Sequence, residues 1–244
     1  MRTLVIGIPL PDVSFDNASF LSAPTISEYT RVVVDTSAVA TSVQDIVSGQ
    51  SAATTFGGQA VINGPGSAYA FPLSELLEMR RREAARLLDG GGLIVILGHP
   101  LSRIHGIVGA DPWHSYRWLP EPDGFTWESD LAPGFGREGA VLTGSEHPFA
   151  PYVSQLSPRI GYRVYANEEA VGLRESGRVF ARSGGGVAIG FELPVGNGTI
   201  VVLPAVSKPD SDRKQISSAI LECLDRWDNA SRRAGRMDTQ TGVI

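Results

Sequence analysis

The sequence predicts a three-layer α/β sandwich with a mainly parallel central sheet, an antiparallel edge hairpin and an irregular aromatic-rich insertion. Three observations lead there. Val32-Val33-Val34 and Leu93-Ile94-Val95-Ile96-Leu97 are apolar without alternation, the pattern of strands covered on both faces. A helical stripe ending in Gly90-Gly91-Gly92 runs straight into the second of them, which makes the helix-to-strand half of a βαβ unit. Late in the chain, Gly196-Asn197-Gly198 separates two apolar runs and signals a tight hairpin turn.

Taken in order, Leu4 to Leu10 reads as the first strand. Its apolar run is short, meets Pro9 and Pro11 and lacks a small-residue cleavage pattern, so a buried strand explains it better than an export signal. Tyr29 to Ala40 holds the second strand, with Asp35 at its carboxyl end and Thr36-Ser37 favouring a turn or a helix start. Gly49 to Tyr69, rich in Gly, Ser, Ala and Thr, is a loop. Pro72 then opens a helix with Ser74 as its N-cap. Leu73, Leu76, Leu77, Ala84, Leu87 and Leu88 form its apolar stripe, and Asp89-Gly90-Gly91-Gly92 stops it.

From Pro112 to Gly144, aromatic residues alternate with Pro and Gly without a long period, as in an irregular insertion. Ser145 to Leu156 reads as a short helix, capped by Ser145 or Glu146 and with Pro148 in its first turn. Hairpin strands follow. The closing helix carries Ile216, Ala219, Ile220, Cys223, Leu224 and Trp227 on one stripe. The division expected is one α/β domain over residues 1–230, with its insertion at about 112–144, and a polar, frayed tail over 231–244.

Composition narrows the function. A net charge of −5 offers no concentrated basic face, which argues against nucleic acid. Arg80-Arg81-Arg82 is framed by Glu75, Glu78 and Glu83, and reads as a solvated helix face with a Glu78–Arg82 pair rather than a phosphate site. Cys223 is the single cysteine, so no intramolecular disulfide is possible. No run approaches the roughly 20 apolar residues that span a bilayer. The expectation is a cytoplasmic protein with no nucleic-acid or membrane partner.

Among polar residues, His99, His105, Asp111 and His114 are the candidates for chemistry. His99 follows a buried strand, and open α/β sheets bind ligands at strand carboxyl ends. Three imidazoles and a carboxylate could hold a divalent metal that activates water, although their spacing matches no metal signature. Asp16 and Asn17, after the first strand, join Asp35 and His99 as candidate ligand-binding residues at a shared carboxyl edge. Ser145, Glu146 and His147 are sequence neighbours, and neighbours on one turn rarely converge as a triad. The run Arg182 to Gly190 lacks the helix and the Lys-Ser/Thr of a phosphate loop, so a hairpin turn explains it better. Trp113, Tyr116, Trp118 and Trp127 are either the insertion's own small core or a surface for a protein partner or a second copy.

Three stretches, "TLVIGIPLP", "RREAARLLDGGGLIVILGHP" and "GGGVAIGFELPVGNGTIVVLPA", resemble the class I glutamine amidotransferase-like superfamily, a flavodoxin-like α/β sandwich that includes the ThuA-like proteins. The likeness covers about half of the chain. It implies a cysteine nucleophile in a sharp strand-to-helix turn, activated by a histidine. Here the one cysteine lies on the apolar stripe of the last helix, and no Gly-x-Ser-x-Gly elbow replaces it. Two readings remain. The preferred one is a pseudoenzyme: a cofactor-free, non-catalytic amidotransferase-like domain that binds a ligand or a protein as a sensor or scaffold. The alternative is a metal-assisted hydrolase using His99, His105, Asp111 and His114.

Overall fold

The computed structural model describes residues 2–39, 42, 60–61, 70–98, 107–108, 116–120, 127–131, 140–160, 162–166, 178–206 and 209–240. Its centre is an eight-stranded sheet. The strands are β1 (Thr3–Ile6), β2 (Phe15–Ala18), β3 (Arg31–Asp35), β5 (Leu93–Gly98), β8 (Ala140–Leu142), β10 (Val179–Ser183), β11 (Ala188–Val195) and β12 (Gly198–Pro204). They run in the order β2-β1-β3-β5-β12-β11-β10-β8. The first five are parallel neighbours. β11, β10 and β8 continue antiparallel, so the expected edge hairpin is three added strands. Ala140–Leu142 therefore belongs to the sheet, and the insertion ends before Gly144.

Unbroken hydrophobicity marks the strands that are covered on both sides. Every residue of β1, β3 and β5 is buried. Alternate side chains feed two separate cores. Leu4, Ile6, Val32, Val34, Ile94 and Ile96 point to one face. Val5, Val33, Leu93, Val95 and Leu97 point to the other.

The first face is closed by α1 (Ala70–Asp89), by the segment holding Phe20, Ala23 and Ile26, and by Tyr116, Trp118 and Leu119. Because α1 begins at Ala70, Ser74 lies inside the helix and is not its N-cap. The glycine stop forms as predicted. Gly91 takes φ +80°, its N–H donates to Leu88 O at 2.9 Å, and Gly92 N–H donates to Leu87 O at 2.9 Å. That pair of bonds is a Schellman cap, and glycine enters the left-handed region without a Cβ clash.

The basic run on α1 divides. Arg82 pairs with Glu78 at 2.9 Å on the exposed side, as expected. Arg80 does the opposite and is buried. Its guanidinium pairs with Glu83 at 2.8 Å and donates to the carbonyls of Pro24 (3.1 Å), Phe20 (3.2 Å) and Ala23 (2.6 Å). Glu83 in turn accepts the N–H of Ile26 at 3.3 Å. The solvated-face reading thus fails for Arg80 and Glu83. They clamp the β2–β3 connection by pairing with its backbone groups at four points.

The second face is closed by α2 (Ala150–Leu156) and α3 (Pro209–Gln240). Ile216, Ala219, Ile220, Cys223 and Leu224 of α3 are all buried there. The helix runs on through Gln240, where a frayed tail was expected from residue 231. Arg232 donates to Asp228 O at 3.1 Å and to Asn229 Oδ1 at 3.2 Å along this stretch. α2 starts later than predicted, with Phe149 at its N-cap position and no side-chain cap. Ser145 and Glu146 do not cap it, because the turns at 144–150 are closed by backbone bonds from His147 N to Gly144 O and from Ala150 N to His147 O.

β1 also ends earlier than predicted, at Ile6, since Gly7 takes φ +94° and turns the chain. The chain then returns to a parallel neighbour through residues 7–14 alone, where a crossover usually needs a dozen or more. Ile8 and Leu10 of this return are buried in the second core, so it covers the sheet as a helix would. Away from the main sheet, β4 (Ala60–Val61) pairs with β6 (Ile107–Val108), and β7 (Trp127–Leu131) pairs with β9 (Tyr162–Ala166). β9 lies against β12, β11 and β5. Among the described residues, no helix is long and apolar enough to cross a membrane.

Candidate functional site

The parallel strands β1, β3, β5 and β12 all end on one rim. The chain leaves β1 for β2 on one side and then enters β3 on the other, so strand order reverses between β1 and β3. Such a reversal opens a crevice at the carboxyl ends, the usual ligand position in open α/β sheets.

The rim is built from the last residues of each strand. Gly7 follows β1, and a Cβ there would lie 2.3 Å from that of Ala38, so the two connections touch. Asp35 ends β3 and is buried. Its Oδ1 accepts the N–H of Ser37 at 2.9 Å and the Ser37 hydroxyl at 2.6 Å, which turns the chain into the helical residues 37–39. Thr36 Oγ1 donates to Leu97 O at 3.1 Å and lies 3.3 Å from the Tyr116 hydroxyl. At the end of β12, Pro204 O accepts from the Tyr152 hydroxyl at 3.1 Å.

Both tyrosines are fully buried, and burial raises their phenols well above the ordinary value; the Asp35 carboxylate adds to the rise. They are neutral hydrogen-bonding groups at any physiological pH and cannot serve as bases. The described rim therefore offers a carboxylate, hydroxyls and backbone groups, and among its described residues no thiol.

The sequence candidates divide. Asp35 lies on the rim as expected. Asp16 does not join it. It pairs in register with Leu4 and so shares the first face, whereas Asp35 pairs with Leu97 and shares the second. Asp16 is also tied to Arg2 at 2.7 Å and accepts from the Tyr29 hydroxyl at 3.3 Å, and both partners precede strands at the amino-terminal edge. Asn17 is engaged with the return loop. It accepts the N–H of Leu10 at 2.8 Å and donates to Leu10 O at 3.0 Å. The common pocket expected for these residues is thus corrected for Asp16, which lies on the opposite face, whereas Asn17, in register with Val5, shares the face of Asp35 but spends its amide on the return loop.

His99, His105, Asp111 and His114 lie outside the described residues, and so does Trp113. Among the described residues, no three His, Cys, Asp or Glu side chains are grouped to hold a metal ion. Tyr116 and Trp118 are fully buried in the first core, with Trp118 edge-on to Phe20 at 5.9 Å, so neither is an exposed partner surface. Trp127 falls on β7. Cys223 is a core residue, as its place on the stripe implied, and burial pushes its thiol up to about 12. The glycine run at Gly185-Gly186 forms the β10–β11 turn, with Gly186 N–H donating to Ser183 O at 2.9 Å.

Sequence reasoning missed Thr36, Tyr116 and Tyr152 at the rim. Hydroxyls drawn from three distant segments leave no spacing signal. It also missed the pairing of His147 with Glu192, which are 45 residues apart and whose Nε2 and Oε2 lie 3.2 Å from each other. No protein-family model matches the chain, and no curated protein matches it.

Proposed function

We propose that this chain is a non-catalytic domain of the class I glutamine amidotransferase-like type, binding a ligand or a protein partner as the sensory or scaffold component of a larger system. One observation carries the reading. The only cysteine of the chain is buried under the second face within the long helix α3, not in a strand-to-helix turn, and its thiol is held neutral. Supporting it is the order β2-β1-β3-β5-β12, the flavodoxin-like arrangement that this superfamily uses. A sheet that keeps the crevice without the nucleophile is suited to recognition rather than to glutaminase chemistry.

The test has two arms. Purified protein is assayed for ammonia release from glutamine and for hydrolysis of ester and phosphoester panels with added zinc or manganese. In parallel, a metabolite panel is screened by thermal shift on wild type and on Asp35→Ala. The reading expects no turnover and at least one stabilising compound whose effect falls with Asp35→Ala. Glutamine hydrolysis that disappears in Cys223→Ala would overturn it. Metal-dependent turnover lost in His99→Ala plus His114→Ala would establish the hydrolase instead.

A further inference from the structure

His147 lies on the turn that enters α2, and its ring is held on three sides. The backbone N–H of Phe149 donates to Nδ1 at 3.2 Å. The Glu192 carboxylate of β11 lies 3.2 Å from Nε2. The ring itself stacks on Phe180 of β10, with centroids 4.0 Å apart and planes inclined by 10°. An imidazole nitrogen that accepts a hydrogen bond carries no proton. The neutral ring therefore keeps its proton on Nε2 and donates it to Glu192. Phe149 is fully buried, so its N–H has no water to turn to if Nδ1 is taken away.

From this geometry we propose that His147 is an acid-triggered latch on the entry to α2. A solvent proton adds to the Nδ1 lone pair. The Nε2 proton stays on its bond to Glu192, which becomes charge-assisted and anchors the ring in place. Nδ1–H and the Phe149 N–H then confront each other as two donors, and the backbone bond is lost. The charged or titratable groups beside these contacts are Glu146 on the same turn, Tyr152 on α2, Glu192 on β11, Arg178 just before β10, Arg182 within it, and Arg226 and Asp228 flanking Trp227 on α3. Glu192 touches the ring, Asp228 pairs with Arg31 at 2.8 Å, and Arg182 donates to Gly186 O at 2.8 Å.

Release at this point travels along α2. Phe149 packs on Trp227 of α3 at 5.9 Å, and Tyr152, one turn further on, holds Pro204 O at the rim. The inference stands whether or not the rim binds a ligand. It is tested by amide hydrogen exchange at Phe149, corrected for intrinsic rate, between about pH 8 and about pH 5, the range in which histidines titrate. Protection is expected to fall about tenfold in wild type and to stay level in His147→Asn, whose Oδ1 can accept the same N–H without titrating. Unchanged protection in wild type, or an equal fall in His147→Asn, would overturn the latch. Should His147→Asn fail to fold, ¹⁵N spectra of wild type decide: Nδ1 must appear unprotonated at the upper pH and titrate together with the Phe149 amide, and independent titration would sink the idea.

Discussion

Arg80 and Glu83, one turn apart on α1, form an ion pair at 2.8 Å whose side chains are 3% and 11% exposed. The pair matters through what else it holds, namely the carbonyls of Phe20, Ala23 and Pro24 and the N–H of Ile26. Removing one member strands a buried charge together with these backbone groups. Arg80→Ala is therefore expected to cost about 3 kcal/mol, and Glu83→Gln less, on the scale of broken buried pairs. Arg82→Ala, which removes an exposed pair of the same chemical type, is expected to cost well under about 1 kcal/mol. Urea unfolding of the three variants measures the contrast, and similar midpoints for Arg80→Ala and Arg82→Ala would contradict it.

Gly7 is constrained twice, by its backbone angle and by its neighbour. Its φ is +94°, and a Cβ there would lie 2.3 Å from Ala38 Cβ and 3.0 Å from Asp35 O. An alanine needs about 1–2 kcal/mol for the left-handed backbone alone. The overlap adds to this, since the close atoms are backbone and a Cβ that cannot swing away. Gly7→Ala is expected to lower the melting temperature by at least about 8 °C, and pairing it with Ala38→Gly, which relieves the clash but not the angle, is expected to recover only part of that loss. Full recovery in the double variant would show that strain in φ is unimportant.

Stability should fall on the alkaline side through three buried hydroxyl or thiol groups. Folding raises the Cys223 thiol from 9.0 to about 12, and it raises Tyr116 and Tyr152 from 10.0. The folded state holds these protons more tightly, so the unfolded chain releases them first. Their contribution is complete below about pH 9 and declines as pH climbs toward 12. The slope of unfolding free energy against pH above about pH 9 should be visibly shallower in Cys223→Ala than in wild type. Identical slopes would mean that the thiol ionises in the folded protein.

How much of this was legible depends on the range of the interaction. The strands β3 and β5 and the α1 stop are local patterns, and Val32–Val34, Leu93–Leu97 and Gly91 declare them directly. The β11–β12 turn at Gly196 and Asn197 is equally local, with Gly196 at φ +60°. Arg80 was misread because its charge looks the same as that of Arg81; what separates them is the 100° step around the helix that places Arg80 on the stripe with Leu77, Ala84 and Leu88. Tyr116 and Trp118 gave no period, since they reach the core from a turn rather than from a regular element. At the site, Asp35 was readable from its place after an apolar run. The partners that define it, Thr36, Tyr116 and Tyr152, come together only through the fold.

The joint between β5 and β12 also bears on how the chain is made. β5 emerges from the ribosome about a hundred residues before the strand that will cover its far side. Throughout that interval, at roughly 5–20 residues per second, Leu93-Ile94-Val95-Ile96-Leu97 presents an unpaired apolar edge that recruits any extended chain nearby. A nascent polypeptide in this state depends on being shielded, and any premature stop ahead of Gly198 leaves the edge open for good.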